Sequence, residues 1–283
     1  MQPAVDELIA LLDLEELEVN IFRGVSPDVS RQRVFGGQVA GQALVAAVRT
    51  VEPDRTVHSL HAYFLRPGDP SVPILYEVDR IRDGHTFTTR RVVAIQHGKA
   101  IFHLQASFHI HEQSFSHQLP VPKGLPDPET LPDFKTRMAP FKDWLGDEYE
   151  RDRAIDIRPV EWMPGDRKRA LPPRQNVWFR ADGTLPDDPV LNTCVVTYAS
   201  DMTLLDTATL PHALGAMEEN LFMASLDHAM WFHRPFRADD WLLYAQDSPS
   251  ASDARGIARG LIFTQAGELA VSVVQEGLLR VSR

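Results

Sequence analysis

The side chains best suited to acid–base or nucleophilic chemistry do not form a serine-hydrolase pattern in this sequence. The motif G-x-S-x-G, which places a nucleophilic serine on a sharp turn, does not occur. Four histidines fall in two strand-like segments, and none is spaced so as to define a Ser-His-Asp site. We therefore expect most of them to be structural. They are His58, His61, His228 and His233.

Metal and disulfide chemistry are also poorly supported. Cys194 is the only cysteine, so the sequence cannot form an internal disulfide or a four-cysteine zinc site, and it fits a reducing, cytoplasmic setting. His109 and His111 would share one face of a strand, which is compatible with a metal ion, but no carboxylate is expected beside them on that face. We expect neither a metal nor another cofactor.

The balance of charge argues against two classes of partner. With 29 basic and 39 acidic residues, the net charge is −10, and the resulting field repels nucleic acid and anionic membranes. The longest weakly polar stretch, residues 35–48, contains Gln38 and Gln42 and is too short to span a bilayer. We expect no nucleic-acid partner and no membrane insertion.

An anionic ligand would therefore need a local cluster of basic residues. Three such clusters occur, and each could equally be ordinary solvated surface. They are Arg31 with Arg33, Arg90 with Arg91, and Arg167-Lys168-Arg169.

A proline-rich stretch divides the chain. Six prolines lie between residues 119 and 140. Such density is typical of an extended connector, because proline lacks a backbone N–H and restricts the chain. At 283 residues with 43% hydrophobic content, the chain can form two domains, each with a core. We predict an N-terminal domain over residues 1–112, a connector over 113–155 and a C-terminal domain over 156–283.

The N-terminal segment has the pattern of a helix followed by an antiparallel meander. Residues 36–47 are apolar on nearly every side, as in a helix surrounded by protein. Strand-like segments follow, with hairpin-turn signals at Asp83-Gly84 and His97-Gly98. These segments are 57–67, 74–82, 86–96 and 99–110.

The C-terminal segment repeats this order, with a helix predicted near residues 201–209 and strands at 222–235, 241–248, 254–263 and 268–279. A shift of 168 positions places Tyr63-Phe64 on Trp231-Phe232, which supports an internal duplication. A long helix cradled by a curved antiparallel sheet, present twice, is an α+β double-hotdog fold. Joining the halves edge to edge would satisfy the backbone groups of one unpaired edge in each sheet.

Five segments of the chain carry a resemblance to a known family. They read VFGGQV at residues 34–39, HSLHAYFLRPGD at 58–69, YASD at 198–201, DHAMWFHRPF at 227–236 and VQEG at 274–277. Together they resemble the acyl-CoA thioesterase II family, the double-hotdog thioesterases typified by the bacterial TesB enzyme. The similarity runs from Leu12 to Arg280 and is weakest in the connector.

The resemblance implies a catalytic trio in the second half. Asp201, Ser225 and Gln275 match the aspartate, hydroxyl residue and glutamine that activate a hydrolytic water in the family. Bacterial members usually carry threonine where this chain has Ser225, and serine keeps the hydroxyl while dropping a methyl group. The resemblance also implies hydrolysis of medium- to long-chain fatty acyl-CoA and a homo-oligomer of double-hotdog units.

Three further residues are candidates for substrate binding. An oxyanion needs free N–H donors such as those at the start of a helix, for which Gly37 and Gln38 are the candidates. His58 opens the strongest resembling segment and is a candidate for lining the acyl or pantetheine channel.

Each member of the trio also has a simpler interpretation. Asp201 after Ser200 could cap the helix expected to follow, while Ser225 and Gln275 could face solvent or bind backbone groups of a sheet. Two other functions stay open. A non-catalytic acyl-CoA binding or regulatory module would keep the fold without turnover, and a hotdog enoyl-CoA hydratase would use an aspartate and histidine pair, whose motif no segment here resembles.

Overall fold

The computed structural model describes residues 2–27, 33–214 and 220–282 of the chain. In its first half, antiparallel strands wrap a central helix in which every residue from 37 to 47 is buried. This burial on all sides agrees with the predicted apolar segment. The elements are α1 (Gln2–Leu12), β1 (Glu15–Glu18), β2 (Ile21–Gly24), α2 (Gly36–Val48), β3 (Arg55–Phe64), β4 (Ile74–Asp83), β5 (Phe87–Gln96) and β6 (Lys99–Ile110).

The segment between the halves contains only short helices and packs on the second half. Val121, Leu125 and Leu131 contact a small apolar cluster that includes Trp241. The indole N–H of Trp241 donates to Glu129 at 2.9 Å. The α-helices of this segment are α3 (Phe134–Met138), α4 (Lys142–Leu145) and α5 (Asp147–Glu150).

The second half repeats the architecture of the first. Its central helix packs against α2, and the buried residues of this helix belong to the same apolar core as those of the strands. A 3₁₀ helix (Leu205–His212) follows the central helix. The remaining elements are β7 (Ile155–Pro159), β8 (Arg174–Ala181), α6 (Pro189–Ser200), β9 (Leu221–Ser225), β10 (Asp227–Phe232), β11 (Leu242–Ser252), β12 (Arg255–Thr264) and β13 (Leu269–Val281).

The predicted helix near residues 201–209 overlaps the 3₁₀ helix at Leu205–His212, whereas the longer helix of the second half is α6. The helix begins earlier, because the side chain of Asp188 accepts hydrogen bonds from the first-turn amides of Val190 and Leu191 and Pro189 occupies the first turn. It ends at Ser200, so Asp201 caps the C-terminus of this helix and is not the N-cap of a following one. This placement directs the aspartate towards the first half.

Within the described residues, thirteen strands form one antiparallel sheet, in which β3 pairs with β10 and joins the two halves. The predicted edge-to-edge junction is thereby confirmed. His61 pairs with Ala229, and a shift of 168 positions maps the first of these residues onto the second. The local pseudo-twofold axis therefore passes through this pair, as an internal duplication requires. The fold is an α+β double hotdog.

The single strand predicted over residues 222–235 is two strands in the structure. β9 and β10 pair with successive parts of β13 and are separated at Leu226. The carbonyl of Leu226 accepts from the amide of Phe64, and its own amide donates to the carbonyl of Glu276. The break therefore stays hydrogen-bonded on both sides.

No helix in residues 2–27, 33–214 or 220–282 has the length and apolarity needed to cross a bilayer.

The close approach of α2 to α6 generates a prediction about stability. A Cβ atom on Gly37 would lie 2.2 Å from the backbone oxygen of Tyr198, whereas one on Gly41 would lie no closer than 3.0 Å to a leucine methyl. We expect Gly37→Ala to lower the free energy of unfolding by about 1–3 kcal/mol, because a backbone atom cannot yield as a side chain can. Urea unfolding of both variants measures this difference, with Gly41→Ala as the control. Equal stabilities for the two variants would contradict the close contact.

Candidate active site

The three residues proposed as a trio meet around one carboxylate oxygen. Ser225 Oγ donates to Asp201 Oδ1 at 3.0 Å, and Gln275 Nε2 donates to the same oxygen at 2.5 Å. Gln275 Nε2 also donates to Ser225 Oγ at 3.0 Å. Three side chains from a helix end and two strands thus form a closed hydrogen-bonded triangle. None of them therefore has the simpler role that the sequence also allowed, which was capping of a following helix for Asp201 and exposure to solvent or binding of backbone groups for Ser225 and Gln275.

The surroundings of Asp201 change its acidity. Burial raises the pKa of its carboxyl group from 3.8 to about 6, and the hydrogen bonds from Gln275, Ser225 and the backbone N–H of Gly37 oppose this rise. The residue as a whole is partly exposed, whereas its carboxyl group is buried. A carboxylate with a pKa near 6 is a stronger base than an ordinary one and is still ionised at neutral pH.

The first turn of α2 is shaped to receive this carboxylate. A Cβ atom on Gly36 would lie 2.6 Å from Asp201 Oδ2, so only glycine leaves room for that oxygen. The amide of Gly37 donates to Asp201. Helix N-termini bind anions through such free N–H groups. The first half therefore contributes its helix start to a site whose side chains belong to the second half.

The side-chain oxygen of Gln275 is a further polar atom of the trio. Its side chain is fully buried, and Oε1 has no hydrogen-bond partner among the described residues. An unpaired buried acceptor of this kind costs about 1–3 kcal/mol. A water or substrate donor at Oε1 would remove that cost.

Sequence reasoning did not anticipate the residues that hold the end of α6. Ser200, directly before Asp201, lies with its Oγ 2.8 Å from His228 Nε2, and its carbonyl accepts from the hydroxyl of Tyr244 at 3.2 Å. Burial lowers the pKa of His228 to about 4, so the imidazole is neutral at physiological pH. Both residues lie in segments that carry the family resemblance: Ser200 directly precedes Asp201, and His228 directly follows Asp227. These positions beside the two aspartates were the signal in the sequence that could have marked them.

A cleft of about 530 Å³ opens near the start of α2 and the end of α6, although Asp201, Ser225 and Gln275 do not themselves line it. Phe35 and Gln38 from the start of α2 line it, as do Tyr198 and Met202, which flank Asp201 in the sequence. The side-chain amide of Gln38 is buried and donates to the carbonyl of Val25 and to Ser26 Oγ, so it holds one wall of the cleft.

The structure does not bring His58 to the trio. Its ring lies 2.8 Å from Ser107 Oγ and forms edge contacts with Phe87 and His109. Phe87 and His109 alternate with the core-facing residues of β5 and β6, so His58 lies on the outer face of the sheet. The predicted role of His58 in the channel does not fit this position.

The basic clusters are also separated by the fold. Arg90 is 1% exposed and bonds to Thr50 and Asp83, which corrects its candidacy for an external anion. Arg167 is 9% exposed and lies over the ring of Trp162. Arg33 lines the cleft. Arg31 falls outside the described residues.

The two histidines considered for a metal have a carboxylate neighbour that was not expected. His109 Nε2 lies 2.7 Å from Glu112 Oε2. In the part of the chain that the structure describes, no three His, Cys, Asp or Glu side chains are grouped closely enough to hold a metal ion.

The pseudo-symmetric position in the first half does not repeat the trio. The pair Ser225–Gly277 on β9 and β13 corresponds to Val57–Phe108 on β3 and β6. By the same register, Gln275 corresponds to Ala106. Neither valine nor alanine can hold a water by its side chain, so the duplication retains these polar groups in one half.

Two fused hotdogs with a hydrogen-bonded aspartate at the helix junction define a class, the double-hotdog proteins. Comparison with known proteins is consistent with this class. The family model described as acyl-CoA thioesterase matches residues 147–278, and that described as acyl-CoA thioesterase N-terminal domain matches residues 25–109.

Individual proteins are similar over nearly the whole chain. The human protein "Acyl-coenzyme A thioesterase 8" is 43% identical over 96% of this chain and 88% of its own length. "Acyl-CoA thioesterase 2" from Haemophilus influenzae is 39% identical over the full length of both. The crystal structure of "Acyl-CoA thioesterase II TesB2" from Mycobacterium marinum has a TM-score of 0.81 and 48% identity, covering 99% of each chain. This chain belongs to the TesB-like acyl-CoA thioesterase II family and is an acyl-CoA thioester hydrolase.

The raised pKa of Asp201 makes a prediction about stability. A carboxyl group whose pKa is higher in the folded than in the unfolded state stabilises the fold at pH values below the unfolded pKa, and this contribution is lost as the pH rises through about 6. Asp201→Asn removes this titration. We expect the free energy of unfolding of the variant, relative to wild type, to rise by about 2 kcal/mol between roughly pH 4.5 and pH 7.5.

Urea unfolding at several pH values measures this difference. Asp247→Asn removes a carboxylate that forms an exposed pair with Arg259 and serves as the control. A pH-independent difference between Asp201→Asn and wild type would mean that the Asp201 carboxyl has an ordinary pKa.

Proposed function

We propose that the enzyme hydrolyses medium- to long-chain fatty acyl-CoA to free fatty acid and coenzyme A, using a water molecule activated by Asp201 and held with the help of Ser225 and Gln275. The observation that supports this proposal is the convergence of the three side chains on Asp201 Oδ1. The family relationship supplies the thioester as substrate.

The arrangement leaves one carboxylate oxygen for chemistry. Oδ1 accepts from Ser225 and Gln275, so its lone pairs are engaged, and Oδ2 lies against Gly36. A water between Asp201 Oδ2 and Gln275 Oε1 would donate one hydrogen to each. Both donors of the water are then fixed, and its lone pair points towards a thioester carbonyl placed beside it.

The reaction then needs two proton transfers. Water attacks the thioester carbon while Asp201 accepts one of its protons, and the carbonyl π electrons move to oxygen to form a tetrahedral oxyanion. When the oxyanion collapses, the C–S bond breaks with its electron pair on sulfur. Protonated Asp201 returns the proton to the thiolate, so the free thiol leaves and the carboxylate is restored.

The oxyanion donor is proposed at the start of α2. The Gly37 amide, one of the two candidates, already donates to Asp201 and so positions the base. We therefore favour the backbone N–H of Gln38, the next amide of the same turn. Helix N-terminal amides are oriented before the reaction begins, which is what makes an oxyanion site effective.

The cleft has the size and lining for the rest of the substrate. Its volume of about 530 Å³ lies within the 300–1,000 Å³ that is typical of ligand sites. Leu8, Leu11 and Phe35 give it apolar walls. Arg33, of the basic candidates, also lines it and is proposed to bind a coenzyme phosphate.

The setting of the enzyme is a further part of the proposal. We place it in the cytoplasm, where a buried, unpaired Cys194 is stable as a thiol. We also propose that double-hotdog units pair, as the resemblance to the family implies.

Substitution within the trio tests the proposal. Asp201→Asn keeps the shape but is a much poorer base, and we expect kcat/KM for octanoyl-CoA to fall by about 10² to 10⁴. Ser225→Ala should also lower it, while Ser225→Thr, which keeps the hydroxyl, should restore most of the activity. Release of free thiol measures turnover, and hydration of an enoyl-CoA is assayed in parallel.

The control is Asp247→Asn, which should match wild type because this residue lies in an exposed ion pair. Asp201→Asn with near wild-type thiol release would remove this residue from the mechanism. Tight acyl-CoA binding without any release by the wild type would favour a binding module, and hydration without thiol release would favour the hydratase.

A further inference from the structure

A second, smaller cavity adjoins the cleft that Phe35 and Met202 line. It has a volume of about 190 Å³. Three residues, Arg153, Ile155 and Met202, line both this chamber and the cleft. The two spaces are therefore neighbours with a common wall, and Met202 is the residue directly after Asp201.

We infer that the chamber receives the distal end of the acyl chain and that Met202 determines how far the chain can extend into it. This inference rests on the proposed function, because it assumes that a thioester is bound beside Asp201. It concerns the length of the acyl group and does not depend on which residue activates water.

The size of the chamber selects among the parts of the substrate. At about 190 Å³ it is smaller than the 300–1,000 Å³ of typical ligand pockets, so the nucleotide of the coenzyme does not fit. A hydrocarbon tail is narrow and flexible and can enter such a space. Apolar side chains form much of its lining, namely Phe134, Ile155, Ile157, Pro159, Val177 and Met202.

Gln175 and Arg153, two polar residues of the chamber wall, have partners within the protein. The side-chain amide of Gln175 donates to Thr207 and Gln246 and accepts from the indole N–H of Trp162. The guanidinium of Arg153 lies 3.7 Å from the ring centre of Phe134. Satisfied polar groups do not demand a polar ligand, so an alkyl chain can occupy the remaining space.

Two charged residues complete the lining. Arg137 donates from Nη2 to the carbonyl of Ile157, and Asp206 lies 3.5 Å from Arg167. Both charged groups therefore have at least one protein partner, while the buried Nε of Arg137 has no hydrogen-bond partner among the described residues. The carbon atoms of both side chains form part of the chamber wall, as those of charged side chains often do around apolar ligands.

Met202 has the properties of an adjustable boundary. Its side chain is only partly buried and packs at the edge of the main core. Methionine is unbranched and flexible and fills irregular gaps. Its neighbour in the common wall, Ile155, is 3% exposed and is fixed at the start of β7. Of the three wall residues, Met202 is therefore the one whose size can be altered with least disturbance of the sheet.

Acyl-chain selectivity tests the inference. Met202→Ala should raise the ratio of kcat/KM for palmitoyl-CoA over octanoyl-CoA by at least about fourfold, the gain for burying one additional methylene group. Met202→Phe should lower the same ratio. Ile157→Phe, which fills the chamber from β7 and leaves Met202 in place, should lower it as well.

The matched control is Met163→Ala, the same change at an exposed position outside both cavities. It should leave the ratio unchanged. A far-UV circular dichroism spectrum that matches wild type shows that a variant is folded, because the spectrum reports strands and helices independently of substrate binding. A ratio that stays at the wild-type value in Met202→Ala and in Ile157→Phe would overturn the inference, as would an equal loss for both substrates in all chamber variants.

Measurements of ligand affinity distinguish a failure of this inference from a failure of the proposed function. The affinities of the thioethers octyl-CoA and hexadecyl-CoA can be measured for the same variants, because a thioether binds but cannot be hydrolysed. A shift of relative affinity in Met202 variants supports the chamber even if Asp201→Asn remains active. Unchanged relative affinities, together with normal thiol release, would remove the chamber while leaving the hydrolase mechanism intact.

Discussion

The carboxylate of Asp201 lies where the last turn of α6 meets the first turn of α2, and this contact constrains the rest of the site. Burial raises the pKa of the carboxyl group to about 6, and hydrogen bonds from Gln275, Ser225 and Gly37 limit the rise. A buried anion with too few donors would be protonated at neutral pH, whereas a solvated one would be a weak base. The structure combines partial desolvation with donors from both halves of the chain.

The duplication explains why both halves are needed for one site. A hotdog pair supplies a helix end from each half, and the sheet junction at β3 and β10 holds the halves in register. Only the second half has polar side chains at the positions of Ser225 and Gln275, since Val57 and Ala106 occupy the equivalent positions in the first half. The first half instead supplies Gly36 and the start of α2. Loss of polar residues on one side is thus compatible with conserved architecture, because the fold depends on the helices and the sheet.

The sequence predicted the strands more accurately than it predicted the second central helix. β6 was expected at the residues where it occurs, because alternating patterning and the His97-Gly98 turn delimit it on one side. The segment of α6 contains polar residues that obscure its apolar pattern. Thr193 and Thr197 bond to backbone carbonyls one turn earlier in the helix, so their hydroxyls are satisfied in ways that composition does not reveal.

For the site, the resemblance supplied the residue types but not their surroundings. That Ser225 and Gln275 share one carboxylate oxygen depends on the register of β9 and β13, which pairs Ser225 with Gly277. The room left by Gly36 depends on two helices that are far apart in sequence. His58 shows the converse, since it lies in a strongly resembling segment yet faces the outer side of the sheet. Contacts between distant segments decide each of these cases, and local patterns do not encode them.

The pH dependence of kcat/KM tests the role of Asp201 most directly, because it reports the ionisation of the free enzyme. If this carboxylate is the base, the logarithm of kcat/KM should rise with pH with a slope of one and reach a plateau above about pH 6, where the group is ionised. The acidic limb should disappear from the residual activity of Asp201→Asn. A wild-type profile that is flat through this range, or an acidic limb that persists in the asparagine variant, would contradict the central claim.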